Sequence, residues 1–356
     1  MKKRLISLFL CAFMIVSFAL VTFAEDGAES GSLKIVNYNV DGLPIPKFLS
    51  SVRRDPRAST KLMPEKLNSV GADLIAVQED FNYHSILKRG IDMPYKTYHF
   101  GGIPFGDGLN FFSKYQLYNI KRVPWETSYG IFDNGSDELT PKGFICGSLE
   151  IAEGVYIDVY NIHADAYGGE GNAAARAAEY RQLLKFIEGY SKDHAVIVLG
   201  DINTRFMHTE SELKKQFIDE AGFRDVWVEL KNGGNYDIKY SDNDIWGIEY
   251  MGIWDSLEKT LYRSGGGVSF KAFSHEFAPF KDDDGNMLSD HSAEITVINY
   301  TIDRNAVPKD ERTYEKERYE PFKTLFLHIK YFFKALGLVL GELPKLISGE
   351  IIIKFQ

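Results

Sequence analysis

Cysteine is almost missing from this chain: only Cys11 and Cys146 occur in 356 residues. A disulfide framework needs several pairs, so none holds the fold together. Cys11 lies within an early apolar run and follows bulky Leu10, which argues against a lipid-attachment cysteine. Basic charge is also scarce. Lys and Arg number 41 against 50 Asp and Glu, a formal net charge of −9. Such a surface repels polyanions, and phosphate neutralisation supplies most non-specific affinity for nucleic acid, so general nucleic-acid binding is disfavoured. Internal repeats and low-complexity tracts are absent, which excludes solenoids and biased linkers. The fold therefore stands on its own apolar core, for which the length is ample.

Lys2, Lys3 and Arg4, an apolar run over residues 5–21 and small Ala24 have the layout of a secretory signal peptide at residues 1–24. Acidic Glu25 and Asp26 follow, where a retained anchor would carry a basic stop-transfer cluster. The expectation is a secreted protein whose net charge falls from −9 to −12, three basic residues being lost and no acidic one. Residues 25–32, rich in Gly, Ser and acid, read as a flexible lead-in.

From there, apolar runs repeatedly end in polar groups. The run AVIVLGDIN at residues 195–203 is a buried β-strand by composition, and it closes on Asp201 and Asn203. Residues 33–40 alternate as a strand and deliver Asn39; residues 72–79 deliver Gln78 and Glu79. A hairpin of residues 143–151 and 155–162 around Glu153-Gly154 ends at His163. Residues 293–300 form a last strand, entered through Asp290 and His291. Helices are expected up to Val70, with Gly71 as C-cap, and over residues 172–190. Strands interrupted by only some helices point to a mixed α+β sandwich rather than regular βαβ alternation.

Beyond residue 300 the composition changes. Residues 301–320 read as a charged linker and 321–356 as an apolar, amphipathic tail. Lys323, Lys330 and Lys334 fall on one arc of a helix, beside a wide apolar face. With Gly337, Gly341 and Pro344 as interruptions, this fits a helix lying on a membrane surface better than one crossing it. A helix packed on the protein's own core is the alternative.

Collected, the polar strand ends are rich in carboxylate and amide oxygens, without cysteine or clustered histidine. Such a set suits a hard, hydrated ion, Mg²⁺ with Mn²⁺ as substitute, rather than zinc. A metal held through one or two carboxylates leaves positions for phosphate oxygens, and phosphate-ester hydrolysis then needs a base for water and donors for the developing charge. His291 and His163 are the candidates for those two tasks.

Asn39 after a strand, Gln78-Glu79, Asn161-Ile-His163, Gly200-Asp-Ile-Asn203 and Ser289-Asp-His291, in that order, resemble the endonuclease/exonuclease/phosphatase superfamily, the fold of pancreatic deoxyribonuclease. The resemblance covers residues 33–300. It implies a four-layered α/β sandwich of two packed mixed or antiparallel sheets flanked by helices. It also implies a metal-dependent phosphodiesterase or phosphatase. Carried over, Glu79 is the principal Mg²⁺ ligand, with Asn39 beside it and Asp290 assisting or holding a second metal. His291 is the general base, and Asp255, in Trp-Asp-x-Leu, the carboxylate that orients it. Asp201 orients water or serves the leaving group, Asn203 holds phosphate and His163 stabilises the phosphorane.

Within the superfamily, Asp137 and Lys142 in DELTPKG are similar to the Asp-x4-Lys-Gly stretch of neutral sphingomyelinases, which implies that they shape the entrance or contact phosphate. The expected substrate is a phospholipid headgroup such as sphingomyelin. Gly200-Asp-Ile-Asn-Thr-Arg205 resembles a motif of inositol polyphosphate 5-phosphatases and makes Arg205 a candidate substrate contact, yet their Pro-x-Trp-Cys-Asp-Arg signature is missing. A secreted nuclease and an inactive lipid-binding module are the further alternatives.

Overall fold

Alternation along β1 (Glu29–Asn39) sets the architecture, because both faces of this strand are covered. Leu33 and Ile35 point into the space between two sheets, Val36 and Tyr38 point into a helical layer, and Asn37 and Asn39 return to the inner side. In this computed structural model the described residues are 29–44, 55–132, 136–206, 208, 211–237, 255–309 and 311–350. The leader segment at 1–24 and most of the polar stretch after residue 237 lie outside them.

One sheet has the order β11-β12-β1-β2-β4-β3, with β2 (Leu74–Gln78), β3 (Tyr95–Lys96), β4 (Asn110–Ser113), β11 (Val268–Ala278) and β12 (Ala293–Ile302). The other runs β5-β6-β7-β8-β10-β9, with β5 (Leu117–Pro124), β6 (Gly143–Ala152), β7 (Val155–His163), β8 (Val196–Asp201), β9 (Arg224–Asp225) and β10 (Glu258–Arg263). Each sheet is mixed and contains one parallel pair, β1 with β2 and β7 with β8. All other pairings are antiparallel.

The inner faces meet through Ile35, Leu74, Phe111, Val159, Ile197 and Leu199. Outside the first sheet, Val36, Tyr38, Ile75 and Val77 pack on α1 (Pro56–Val70) and α2 (His84–Gly90) through Met63, Leu67 and Leu87. Outside the second, Tyr160, Ile162, Val196 and Val198 pack on Tyr180, Leu183 and Ile187 of α3 (Glu170–Tyr190), with Trp227 of the short α4 (Val226–Lys231) alongside. Helix, sheet, sheet and helix form the four layers of an α+β sandwich, as expected. Each fully buried Leu, Ile or Val is worth about 1.5–3 kcal/mol, so the three clusters carry the fold without disulfides. Helix α1 starts where the Asp55 carboxylate accepts from the backbone N–H of Arg57 at 2.9 Å, with Pro56 in its first turn, and stops at left-handed Gly71.

Two boundaries differ from expectation, and the tail helix is continuous. Residues 29–32 are not a loose lead-in; they extend β1 and pair with Ile302 through Asn299 of β12. Residues 301–320 are not a free linker. Arg312 bonds the buried Asp158 carboxylate at 3.0 Å, Tyr314 stacks on Tyr156 and Glu315 accepts from and donates to Asn119, which straps the segment across β5 and β7. Composition could not show this, because the partners lie more than 100 positions away. Finally, α5 (Pro321–Ser348) runs unbroken through Gly337, Gly341 and Pro344, and of its described residues only Ala335 is buried. It is not a core helix.

Near one end, the filling between the sheets changes from apolar to polar. The Asn37 amide donates across to the carbonyls of Gly200 (3.1 Å) and Lys259 (3.3 Å) and to Glu294 (3.1 Å). Gln78 donates to Asn37 at 2.9 Å and to Asn161 of the facing sheet at 2.7 Å. Thr260 and His275 satisfy the two oxygens of Glu294. Truncating Asn37 would orphan several of these buried groups at once, at about 1–3 kcal/mol each. We expect Asn37→Ala to lower the unfolding free energy by roughly 2–4 kcal/mol in urea titration; a loss below about 1 kcal/mol would mean that the seam is not holding the sheets.

Candidate active site

Strand direction gathers the polar groups. The two parallel pairs end at the same rim of the sandwich and deliver Asn39, Glu79, His163 and Asp201 from their carboxyl ends. Strand β10 runs antiparallel to β8 and so begins at this rim, with Glu258 opposite Asp201. Strand β12 runs antiparallel to β1, and the turn before it brings Ser289, Asp290 and His291 to the same place. Ser289 Oγ donates to the Asn39 carbonyl at 2.6 Å, closing turn to strand.

The backbone is held in costly shapes here. Asp41, Glu79 and Asn203 sit at φ of 43°, 54° and 52°. Left-handed non-glycine residues cost of order 1–3 kcal/mol and persist where surroundings over-determine them. At Gly200 a Cβ would stand 2.1 Å from the Ile162 carbonyl oxygen, so only glycine lets β7 approach β8 just before Asp201.

His291 is clasped between carboxylates. Its Nδ1 bonds Glu258, while Nε2 lies 3.7 Å from Asp201 and 4.0 Å from Asp290. Burial opposes a charge on the imidazole, but Glu258, Asp290 and Asp201 outweigh it and raise its pKa well above the usual histidine range. Asp255, expected to orient this histidine, is instead the buried ion-pair partner of Lys259. The orienting carboxylate is Glu258, three residues later, whose second oxygen accepts from Ser256 Oγ at 2.5 Å.

On the opposite side Glu79 gathers negative charge. Its pKa is raised to about 8, first by burial and then by the carboxylates of Asp41 and Asp290. Three carboxylates repelling one another fit a divalent cation, and an all-oxygen set fits a hard one. Asp201, Glu258 and His291 also offer ligand atoms within 4.8 Å of one another. However, Glu258 is closed behind the imidazole, whereas side chains of Glu79 and Asp290 are 16% and 41% exposed. Mg²⁺ keeps several waters, so the open side suits it better. Asn39, expected as a ligand, turns its amide nitrogen to Glu79 (2.9 Å) and Asp201 (3.2 Å), and its oxygen accepts from Asp41 N–H. In this arrangement it orients the carboxylates instead of offering an oxygen.

The cation at the rim is Lys142. It is buried, paired with Asp137, and its Nζ lies 3.1 Å from His163 Nε2. His163 itself is held neutral: burial first, then Lys142 and His291, push its pKa well below the ordinary value. Its Nε2 therefore accepts from Lys142, and it brings no charge of its own to a phosphorane. Asp137 also accepts from Ala166 N–H at 3.0 Å. Asn203 is pinned between the Asp201 carboxylate and the Ala164 carbonyl. Arg205 is buried two residues beyond.

Thus Asn39, Glu79, His163, Asp201, Asp290 and His291 come together, with Lys142 beside them, and Asp255 belongs to a separate buried pair. Glu258 and Asp41 were not singled out in the sequence. Glu258 did carry a signal: it opens the alternating stretch Glu258, Thr260, Tyr262, as Asp201 closes its own strand. Asp41, inside a turn-forming Asp-Gly-Leu-Pro stretch, carried none.

The chain is 34% identical over 288 residues to the sphingomyelinase of Mycobacterium tuberculosis, covering 78% of this chain and 55% of the relative. It spans about half the length of the curated relatives it matches. Among solved structures, Danio rerio TDP2 complexed with single-strand DNA product matches with a TM-score of 0.56 at 16% identity, over 75% of this chain and 99% of that one. A double mutant of beta toxin from Staphylococcus aureus with bound magnesium ions matches with a TM-score of 0.51 at 16% identity, over 75% and 99%. No protein-family model matches.

Magnesium at about 100 times its dissociation constant should stabilise the folded chain by about 2.7 kcal/mol, seen as a higher thermal midpoint. Glu79→Gln should abolish most of that rise. Because the cation needs the ionised carboxylate, its affinity should increase as pH rises through about 8. An undiminished rise in the variant would place the ion at Asp201, Glu258 and His291 instead.

Proposed function

Because the chain has the deoxyribonuclease-like fold of the endonuclease/exonuclease/phosphatase superfamily, we propose that it is a divalent-metal-dependent phosphodiesterase acting on a phospholipid headgroup, sphingomyelin in the first instance. The observation that carries this reading is the clasp of His291, with Nδ1 on Glu258 and Nε2 turned toward Asp201, Asp290 and the rim. Lipid as substrate is supported by the likeness to curated sphingomyelinases and by the acidic net charge, which disfavours DNA. The basic start and apolar run within residues 1–24 support an exported protein meeting its lipid outside the cell.

In this mechanism the neutral form of His291, populated as pH rises through its raised pKa, takes a proton from water through Nε2, while Glu258 fixes the Nδ1–H tautomer and stabilises the imidazolium that results. The water oxygen bonds to phosphorus as the bond to the lipid alcohol breaks. Asp201, held by Asn39, faces the same nitrogen and orients the water or serves the leaving oxygen; Asn203 holds a phosphate oxygen. Lys142 supplies fixed positive charge to the pentavalent state, with Asp137 keeping it in place. A divalent cation at Glu79 and Asp290 would neutralise phosphate charge.

His291→Ala should lower kcat about 10²–10⁴-fold in a still-folded protein. Glu258→Gln should have a comparable effect on kcat and, because it removes an anion that stabilises the imidazolium, should move the acidic limb of the kcat/KM profile to lower pH. A limb that stays in place would show that Glu258 does not set the base.

Substrate choice is tested separately, by presenting sphingomyelin vesicles, phosphatidylcholine, plasmid DNA and inositol phosphates with and without Mg²⁺. Sphingomyelin turnover that requires the metal is expected. Rapid DNA cleavage with inert sphingomyelin would make the protein a nuclease, and inositol phosphate turnover alone a phosphatase.

A further inference from the structure

Helix α5 shows two unlike sides. At ~100° per residue, Phe322, Phe326, Ile329, Phe333, Leu336 and Leu340 fall within an arc of about 80°. That arc is open: Phe322 is 87% exposed, Phe326 69% and Phe333 63%. Lys323, Lys330 and Lys334 lie along one flank of it. The opposite side carries His328, Tyr331 and Ala335 and faces the domain. His328 meets the Phe100 carbonyl, Phe100 lies edge-on to Tyr331, and Phe105 stacks against Phe332 at the edge of the arc. A cavity of about 990 Å³ lies beneath, between Leu327 and Tyr331 of the helix and Tyr98, Asp107 and Arg122 of the domain. The helix thus rests on a few contacts, and its apolar arc is turned away from them.

Two of the segments beneath it lead straight to the rim. Residues 100–105 run on to Gly108, where a Cβ would stand 3.1 Å from Glu79 Cα. The turn Asp137–Leu139, which also lies against α5, carries the carboxylate that holds Lys142.

We propose that α5 is a membrane-docking element that lies in the plane of a phospholipid bilayer, with the phenylalanine arc among the acyl chains and the lysine flank at the phosphates. The length and composition of α5 would also suffice for crossing a membrane, but its opposite side is occupied by the domain, so it inserts sideways. A strongly apolar arc flanked by lysine, on a chain of net charge −9, complements a phosphate-bearing apolar phase. A second copy of this acidic chain would bring like charge with it. Through the turn at 137–139 and the loop at 100–105, the docked helix holds the rim of the site against the surface that contains the substrate. The inference rests on the lipid reading of that site, and the test separates the two.

A nitrobenzoxadiazole label is placed by Phe333→Cys in a Cys11→Ser background, Cys146 being buried. Vesicles of phosphatidylcholine and phosphatidylserine are added with chelator present, so that binding is read without turnover. We expect blue-shifted emission and quenching by acyl-chain nitroxide, both weaker by several-fold for the label at Lys330→Cys. We also expect Phe326→Glu with Phe333→Glu to slow hydrolysis of sphingomyelin vesicles at least tenfold and to leave hydrolysis of a water-soluble phosphodiester unchanged. No change in the label with vesicles, a change that follows protein concentration without lipid, or unaltered vesicle hydrolysis by the double variant each overturns the proposal. A label that enters the bilayer while no lipid is hydrolysed supports the docking helix and removes the catalytic reading instead.

Discussion

The structure depends on a polar seam between the two sheets, just beneath the rim. Asn37 reaches from β1 to the backbone of β8 and β10, and Gln78 reaches from β2 to Asn161 on β7. Asn161 returns the bond to the Val77 carbonyl at 2.9 Å. These bonds join the sheets where their apolar contact ends. Apolar packing alone is non-directional and would allow the sheets to slide; a satisfied amide network allows one spacing. The reacting groups sit on the next residues of those strands, so the seam sets their separations.

Above it, charge is divided unevenly. Glu79, Asp41 and Asp290 repel one another on one side, while Lys142 stands on the other with His163 held neutral at its Nζ. Such a site is costly for the isolated fold, and on the proposed reading cation and substrate phosphate together would complete the balance. The left-handed backbone at Asp41, Glu79 and Asn203 is the conformational part of the same cost. The three clusters of buried apolar side chains supply what offsets it.

On the proposed reading, the carboxy-terminal segment connects this chemistry to a lipid surface. The strap fastened by Arg312 and Tyr314 crosses the outer edge of the second sheet, and α5 then returns to the loops beside the rim. A phospholipid headgroup lies at an interface, and an enzyme that approaches it from solution gains from holding its mouth there, because proximity replaces repeated encounter.

The four layers and most of the site were legible along the chain because periodicity is local. Alternation places Asn37 and Asn39 on one face of β1, and the apolar runs before Glu79, Asp201 and His163 name strands whose ends are polar. The orientation of α5 was half legible: its lysine flank and apolar arc follow from spacing, but which side met the domain depended on Phe100 and Phe105, more than two hundred positions away. The partner of His291 was not legible. Asp255 and Glu258 are both acidic and stand three residues apart, and only the antiparallel register of β10 on β8 sets Glu258 beside Asp201 and leaves Asp255 to Lys259. The protonation of His163 was hidden for the same reason, being decided by burial and by the approach of Lys142 from the turn before β6. By itself the sequence determined which elements form and which residues end them, through the spacing of near neighbours; the tertiary structure decided which polar ends meet and what charge each carries, because register, burial and electrostatics act between residues far apart in the chain.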